Sequence, residues 1–180
     1  YESVQDNPYL ADFYENMSRW SFPLQVYFLN HRFNTHKFIE SGMGSGIQDR
    51  SIYEDANIFA RALFEQGDLD ERDYETYCTL YESMIQYLSA PTLMIFLRRS
   101  VPKLVERIKL RGRDYEQTIP LDYLTKLNGY YNEWYDEYDL GKSLIVDTDD
   151  LDFLDNDEHF DHLVKRIHDS IAQQEMFFHY

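Results

Sequence analysis

An α/β fold, with a parallel sheet flanked by helices, is the class this sequence predicts. Three observations carry it. "TLMIFLR" (residues 92–98) is a continuous apolar run of strand length, the pattern of a strand covered on both faces. "SLIVD" (143–147) is a second short strand and "IQDR" (47–50) a third. Each is followed by a stretch with helical signals, and strands alternating with helices build a parallel layered fold. Ligands of such folds bind beyond the carboxyl ends of the strands. Asp49 and Arg50 occupy that place after "IQ", and Arg98 and Arg99 occupy it after "TLMIFL".

Taken in order, "NPYLADFYENM" opens a helix with Asn7 as cap and Pro8 at the first helical position, where its missing N–H costs nothing. "WSFPLQVYFLNHRFNTHKFIE" (20–40) is a longer helix, closed by the loop "GMGSG". After the short "IQDR" strand, Ser51 and Glu54 have the S-x-x-E spacing of a capping box, and a helix runs from Ile52 to about Gln66. "GDLD" makes a turn, and "ERDYETYCTLYESMIQYL" (71–88) is the next helix. "VPKLVERIKLR" (101–111), residues 120–138 and "DEHFDHLVKRIHDSIAQQ" (157–174) complete the helices. No internal repeat or linker divides the chain, so residues 1–180 read as one domain.

Composition excludes several classes. A hydrophobic share of 43% with 17% aromatics excludes a disordered chain despite the net charge of −16. Cys78 stands alone, which excludes an internal disulfide and fits a reducing compartment. Absence of a long apolar run or signal-peptide pattern sets the expectation of a cytoplasmic protein without a membrane partner. The acidic balance argues against nucleic acid as a partner, because its phosphates would be repelled.

Charge is also spread unevenly. Arg98, Arg99, Lys103, Arg107, Lys109, Arg111 and Arg113 fall within sixteen residues, opposed only by Glu106. "VDTDDLDFLDNDEHFD" (146–161) is the reverse, acidic throughout. Either run can be a solvated face. Arg107 and Arg111, four apart, share a helix face, and Arg113 follows a glycine. Guanidiniums clustered on an acidic protein suggest a small polyanion such as a nucleotide's phosphates.

Gln25 and Arg32 are seven apart, within roughly 20° of one another on a helix, in a stripe with Phe28 and Leu29. Two readings stand: polar ends snorkelling to the rim of the core, or a pocket wall for something planar and polar. His159 and His162, at i and i+3, lack a third nitrogen or sulfur ligand nearby, so no zinc site is expected there. Cys78, in a tyrosine-rich helix, reads as core or interface.

"YESVQDNPYL", "FYENMSRWSFPLQVYFLNHRF", "QDRSIYEDANIFA" and "LRGRDYEQTIPLDYLTKL" together resemble the deoxynucleoside kinases. The likeness is to the bacterial deoxyadenosine/deoxyguanosine kinase branch, with deoxycytidine kinase more distant. It runs from Tyr1 to about Phe153, with the last helix in the expected place. The resemblance implies a P-loop-kinase-like fold. The activity it implies is transfer of the γ-phosphoryl of ATP, with Mg²⁺, to the 5′-hydroxyl of a purine deoxynucleoside, in nucleotide salvage. Deoxyadenosine and deoxyguanosine are not ranked, and deoxycytidine stays open.

Roles follow from the same resemblance. Glu2 matches the base that takes the 5′-hydroxyl proton, Asp49 the acid that holds Mg²⁺ through water, and Arg50 the arginine at the transferring phosphoryl. Gln25 matches the glutamine on the base edge. Arg32 and Asp55 match the pair that separates purines and cytosine from thymine, and Phe59 the ring stacked on the base. Tyr14 and Glu116 match the groups on the 3′-hydroxyl. Arg107, Arg111 and Arg113 match a lid of about 107–117, and Asp152 and Phe153 the loop at the donor's adenine. A homodimer, or a heterodimer with a close paralogue, is implied as well.

The main departure is the phosphate loop. The family carries G-x-x-x-x-G-K-S/T after a first strand, and neither is found in these residues. "GMGSG" lacks the lysine and precedes a strand, so it reads as a loop. The expectation is an absent N-terminal segment of roughly 35 residues, and little ATP turnover without it. Ser3 stands where many relatives have proline. The alternative function is a non-catalytic nucleoside- or nucleotide-binding subunit or regulator.

Overall fold

Capping chemistry sets most element boundaries in the computed structural model, which describes residues 7–42, 45–113 and 119–177. The chain groups into two compact units, Tyr1–Ser89 with Thr118–Trp134, and Ala90–Gln117 with Tyr135–Tyr180.

The first unit is helical. Asn7 Oδ1 accepts the Tyr9 N–H at 2.9 Å, so it closes a turn that contains Pro8, and helix α1 begins later, at Leu10–Glu15. A side-chain acceptor that serves the backbone locally competes with the helix itself, which is why the expected start is displaced. Helix α2, Met17–Ser41, starts on Asn16, whose side chain accepts the Arg19 N–H at 3.1 Å. It continues through Pro23. In "GMGSG", a Cβ at Gly46 would lie 2.8 Å from the Ile39 side chain, so glycine there permits a close approach to α2.

Ser51 and Glu54 form the expected capping box. Glu54 Oε2 accepts the Ser51 N–H at 2.8 Å, and Ser51 Oγ accepts the Tyr53 N–H at 3.2 Å. The helix then changes winding: α3 spans Ile52–Glu54, a π-helical segment Asp55–Ala60, and α4 Arg61–Gln66. Gly67, at φ 81°, ends it in the left-handed conformation. Helix α5 is Glu71–Ile85, capped by Asp70. One core cluster joins Phe13, Leu24, Leu63 and Leu69; another joins Ile58 and Ala62 with Tyr130. Each fully buried large apolar side chain contributes about 1.5–3 kcal/mol.

In the second unit, β1 (Met94–Arg98) pairs in parallel with β2 (Ser143–Asp147), with Met94 opposite Ser143 and Arg98 opposite Asp147. Helix α6, Val101–Arg111, follows β1 and ends on Gly112 at φ 66°. Helix α7, Leu121–Asp136, belongs to the first unit as far as Trp134. Helix α8, Asp157–Phe177, follows β2 and is capped by Asn156, whose side chain accepts the Glu158 and His159 N–H groups. Parallel strands followed by helices are the α/β arrangement the sequence predicts.

Two strand expectations are corrected. Residues 47–50 form no strand ladder among the described residues and bend at Asp49 and Arg50; the Asp49 carbonyl accepts from the Arg32 side chain instead of from a neighbouring strand. β1 starts at Met94, and Leu97 is 46% exposed, so the apolar run is not covered on both faces among the described residues. No helix among them is long and apolar enough to cross a membrane.

Candidate active site

α2 and the π-helical segment build a buried polar wall in the first unit. Gln25 and Arg32 are each 4% exposed and Asp55 2%, so neither α2 residue snorkels. Arg32 Nε lies 2.7 Å from Asp55 Oδ2, Arg32 Nη1 donates to the Asp49 carbonyl at 2.8 Å, and the guanidinium sits 5.3 Å from the Phe28 ring centroid. The Arg32–Asp55 contact is ionic but poorly aligned, leaving Arg32 Nε and Asp55 Oδ2 without a well-formed hydrogen bond. Gln25 Oε1 is buried with no partner at all. An unsatisfied buried acceptor costs about 1–3 kcal/mol. The orphaned Gln25 acceptor beside this ion pair therefore calls for a polar ligand with a donor. Burial pushes the Asp55 carboxyl up to about 6, with the Arg32 and Arg50 charges acting against it.

Asp49 and Arg50 stand beside this wall. Arg50 adopts φ 59°, a left-handed conformation that costs a non-glycine residue about 1–2 kcal/mol. Strain of this kind collects at functional sites. Its guanidinium lies 4.7 Å from the Phe59 ring centroid, and Phe59 meets Tyr131 edge-on, 6.1 Å between centroids. Asp49 is exposed. Tyr14, half-buried on α1, packs edge-on against Phe13. Burial, with Tyr14 adding to it, pushes the nearby Tyr123 phenol up, and Arg50 opposes the shift.

The first unit thus gathers Tyr14, Gln25, Arg32, Asp49, Arg50, Asp55 and Phe59. Sequence reasoning misses Tyr123 and Tyr131. With Leu127 they recur at every fourth residue along α7, a row on one helix face that would have flagged them. Glu2 and Glu116 lie outside the described residues, as does the lid between Arg113 and residue 117.

The remaining candidates lie in the second unit. Arg107, on α6, approaches Asp152 with Nη2 3.6 Å from Oδ1. Arg111 is the last residue of α6 and Arg113 is half-buried just past Gly112; Phe153 is half-buried in the loop after β2. Arg98 and Arg99 do not wait at a strand end for a ligand, contrary to expectation. Arg98 forks onto Asp147, with bonds of 2.5 and 3.0 Å. Arg99 donates to the Thr148 and Leu151 carbonyls, both at 3.1 Å. Among the described residues no three His, Cys, Asp or Glu side chains gather as a metal cluster.

Residues 1–172 match the family model for deoxynucleoside kinases. The chain belongs to the deoxynucleoside kinase family. The deoxyadenosine/deoxycytidine kinase of Bacillus subtilis (strain 168) is 36% identical over 168 residues, covering 92% of this chain and 77% of that protein. The deoxyguanosine kinase of Lactobacillus johnsonii is 37% identical over 93% of this chain and 78% of its own length. The deoxyadenosine kinase of Dictyostelium discoideum is 46% identical over 134 residues; this chain spans about half, 54%, of that relative's length. Among solved structures, a deoxyadenosine kinase from M. mycoides with dCMP and dCDP bound superposes with a TM-score of 0.80 at 30% identity, over 94% of this chain and 84% of its own. The same enzyme is also known with dATP bound, at a TM-score of 0.78. These relatives are themselves kinases, which favours an enzyme over a non-catalytic subunit.

Proposed function

We propose that this kinase moves the γ-phosphoryl of ATP to the 5′-hydroxyl of a purine deoxynucleoside, deoxyadenosine or deoxyguanosine, with deoxycytidine also admitted. The observation that carries the reading is the orphaned Gln25 Oε1 beside the buried Arg32–Asp55 pair. Gln25 Oε1 accepts an N–H of the base. Asp55, kept ionised by Arg32, accepts from an exocyclic amino group. Thymine carries no exocyclic amino group, unlike adenine, guanine and cytosine, so it leaves the buried carboxylate without that donor. Phe59 stacks on the base, and Tyr14 with Glu116 holds the 3′-hydroxyl.

Glu2 takes the 5′-hydroxyl proton as the oxygen attacks phosphorus. Arg50, reaching past the Phe59 ring, braces that oxygen and the phosphoryl group. Phosphoryl transfer is mostly positioning and charge neutralisation, and these groups supply both. Exposed Asp49 is a hard oxygen donor, suited to holding Mg²⁺ through water, since that ion keeps waters and phosphates rather than a protein cage. When bound, the metal neutralises phosphate charge. Arg107, Arg111 and Arg113 close over the triphosphate, while Asp152 and Phe153 meet the donor's adenine. The M. mycoides deoxyadenosine kinase is known with dATP bound, which supports an adenine nucleotide as a ligand of this fold. Residues 1–180 then belong to one kinase domain that acts in cytoplasmic salvage. Exposed Phe38 on α2 and Leu80 on α5 favour pairing with a second copy or a close paralogue.

The test is a panel of the four deoxynucleosides with Mg-ATP. The expected order puts deoxyadenosine or deoxyguanosine first in kcat/KM and thymidine last. Thymidine used as well as the purines would remove Gln25, Arg32 and Asp55 from base recognition. Failure of the full-length protein with all four would sink the kinase reading.

Acidity gives a second test. Base recognition needs the Asp55 carboxylate, so the deoxynucleoside KM should rise as pH falls through about 6. The sign for stability is opposite. With its pKa raised on folding, the protonation-linked part of this carboxyl's contribution to stability is fully present below the unfolded value near 3.8 and is lost as pH rises through about 6, while the ion pair with Arg32 belongs to the ionised form. A KM profile that stays flat between pH 7 and 5 would show that Asp55 does not meet the base.

A further inference from the structure

We propose that Arg99 and His159 are positioning residues that clamp the segment 148–155 from both of its flanks and so set the kinase's donor specificity. This rests on the reading that Asp152 and Phe153 meet the donor's adenine. The basic run after β1 suggests a phosphate site, but the second unit employs Arg99 differently. Its guanidinium donates from Nε to the Thr148 carbonyl and Oγ1, both at 3.1 Å, and from Nη2 to the Leu151 carbonyl at 3.1 Å. Thr148 is 3% exposed, and its own N–H and hydroxyl donate to the Arg98 carbonyl at 2.8 and 2.9 Å. The neighbouring Ser100 N–H donates to Asp149 Oδ1 at 2.7 Å. The first half of the segment is therefore tied to the β1–α6 junction.

His159 ties the second half. It lies in the first turn of α8, half-buried, and its Nδ1 accepts the Asp152 N–H at 3.0 Å. That geometry requires a bare Nδ1, with the ring proton on Nε2. The ring is set in place by Asn156, whose Oδ1 accepts the His159 N–H at 3.2 Å. Asp152 in turn folds the loop tip, its Oδ1 accepting the Leu154 and Asp155 N–H groups at 3.3 Å each. The same Oδ1 faces Arg107 of α6 at 3.6 Å. One residue thus links the donor-base segment, α8 and the helix that carries the lid arginines. A segment that presents one edge to the donor base at every turnover needs a fixed backbone. Eight acidic residues from Asp147 to Asp161 repel one another, so their own chemistry does not supply one.

The experiment compares His159→Leu, His159→Asn and Arg99→Met, measuring KM for ATP and for the deoxynucleoside, the ATP-to-GTP ratio of kcat/KM, and amide hydrogen exchange. His159→Leu should raise the ATP KM about 3- to 10-fold, as expected for one lost hydrogen bond. It should narrow the ATP preference, speed exchange at 152–155 and leave the deoxynucleoside KM in place. Asn puts Oδ1 close to where Nδ1 stood, so His159→Asn should restore most of each effect. Arg99→Met should act alike, with faster exchange at 148–151. Leu and Asn variants that behave identically, or exchange unmoved by Leu, would overturn the clamp. Faster exchange with an unchanged ATP KM and ATP-to-GTP ratio would overturn the donor-adenine reading of Asp152 and Phe153, and with it the proposed role.

Discussion

Arg50→Met should lower kcat by about 10³-fold or more while the deoxynucleoside Kd changes only several-fold, an arginine at the transferring phosphoryl being worth about 10³–10⁵ in rate. Its guanidinium is held 4.7 Å over Phe59, and Asp49, Glu54 and Asp55 surround it electrostatically. The cation–π contact with Phe59 contributes about 0.5–1 kcal/mol at an exposed site, which bounds the binding loss. Arg50→Lys should not rescue turnover, because a point charge lacks the planar fork. Arg50→Gly adds a discriminating result. Glycine adopts φ 59° without the Cβ clash, so this variant should melt higher while losing activity. Calorimetric titration, melting and single-turnover rates separate these effects. A loss of rate under tenfold would confine Arg50 to packing on Phe59.

The elements that punctuate themselves were legible in sequence. Residues 101–111 form a helix with the expected ends because Pro102 suits a first turn and Gly112 takes the left-handed closing position. The Ser51–Glu54 cap is equally local. The "IQDR" strand was not decidable, because four residues carry no information about a ladder partner. Only the distant Arg32 side chain shows where the Asp49 carbonyl bonds. For the same reason the basic cluster misleads at Arg98 and Arg99. Asp147 and the loop carbonyls that absorb their charge are about fifty residues away.

Helical spacing placed Gln25 and Arg32 on one stripe but left open whether their ends reach solvent; burial by the rest of the unit decides that. The π-helical winding at Asp55–Ala60 has no signature in composition. Such segments are rare and often functional, and this one carries both Asp55 and Phe59. An ideal α-helix drawn over these residues would turn Asp55 and Phe59 differently about the axis. Resemblance names the residues, but the winding sets how they meet Arg32 and Arg50.

Asp55→Ala should destabilise the fold by about 3–5 kcal/mol, because it strands the Arg32 charge in the interior rather than merely removing a contact. Arg32 is 4% exposed, and its remaining partners, the Asp49 carbonyl and the Phe28 ring, carry no formal charge to neutralise it. On the α5 side the site is closed off: Tyr77 is fully buried, its hydroxyl lacks a partner among the described residues, and burial with the Asp55 charge pushes its phenol well up. Against a total stability of about 5–15 kcal/mol, the loss is a large fraction. The double variant Arg32→Met, Asp55→Leu removes both charges and keeps apolar volume, so it should recover most of that stability. The same double variant should lose purine preference and admit thymidine, since no buried carboxylate remains that needs an amino donor from the base. Denaturant melts of the two single variants and the double close a thermodynamic cycle, and the deoxynucleoside panel reads selectivity on the same samples. If Asp55→Ala costs under 1 kcal/mol, water reaches the pair, and its discrimination between bases must come from elsewhere. If the double variant is stable but keeps its purine preference, Gln25 alone sets the base.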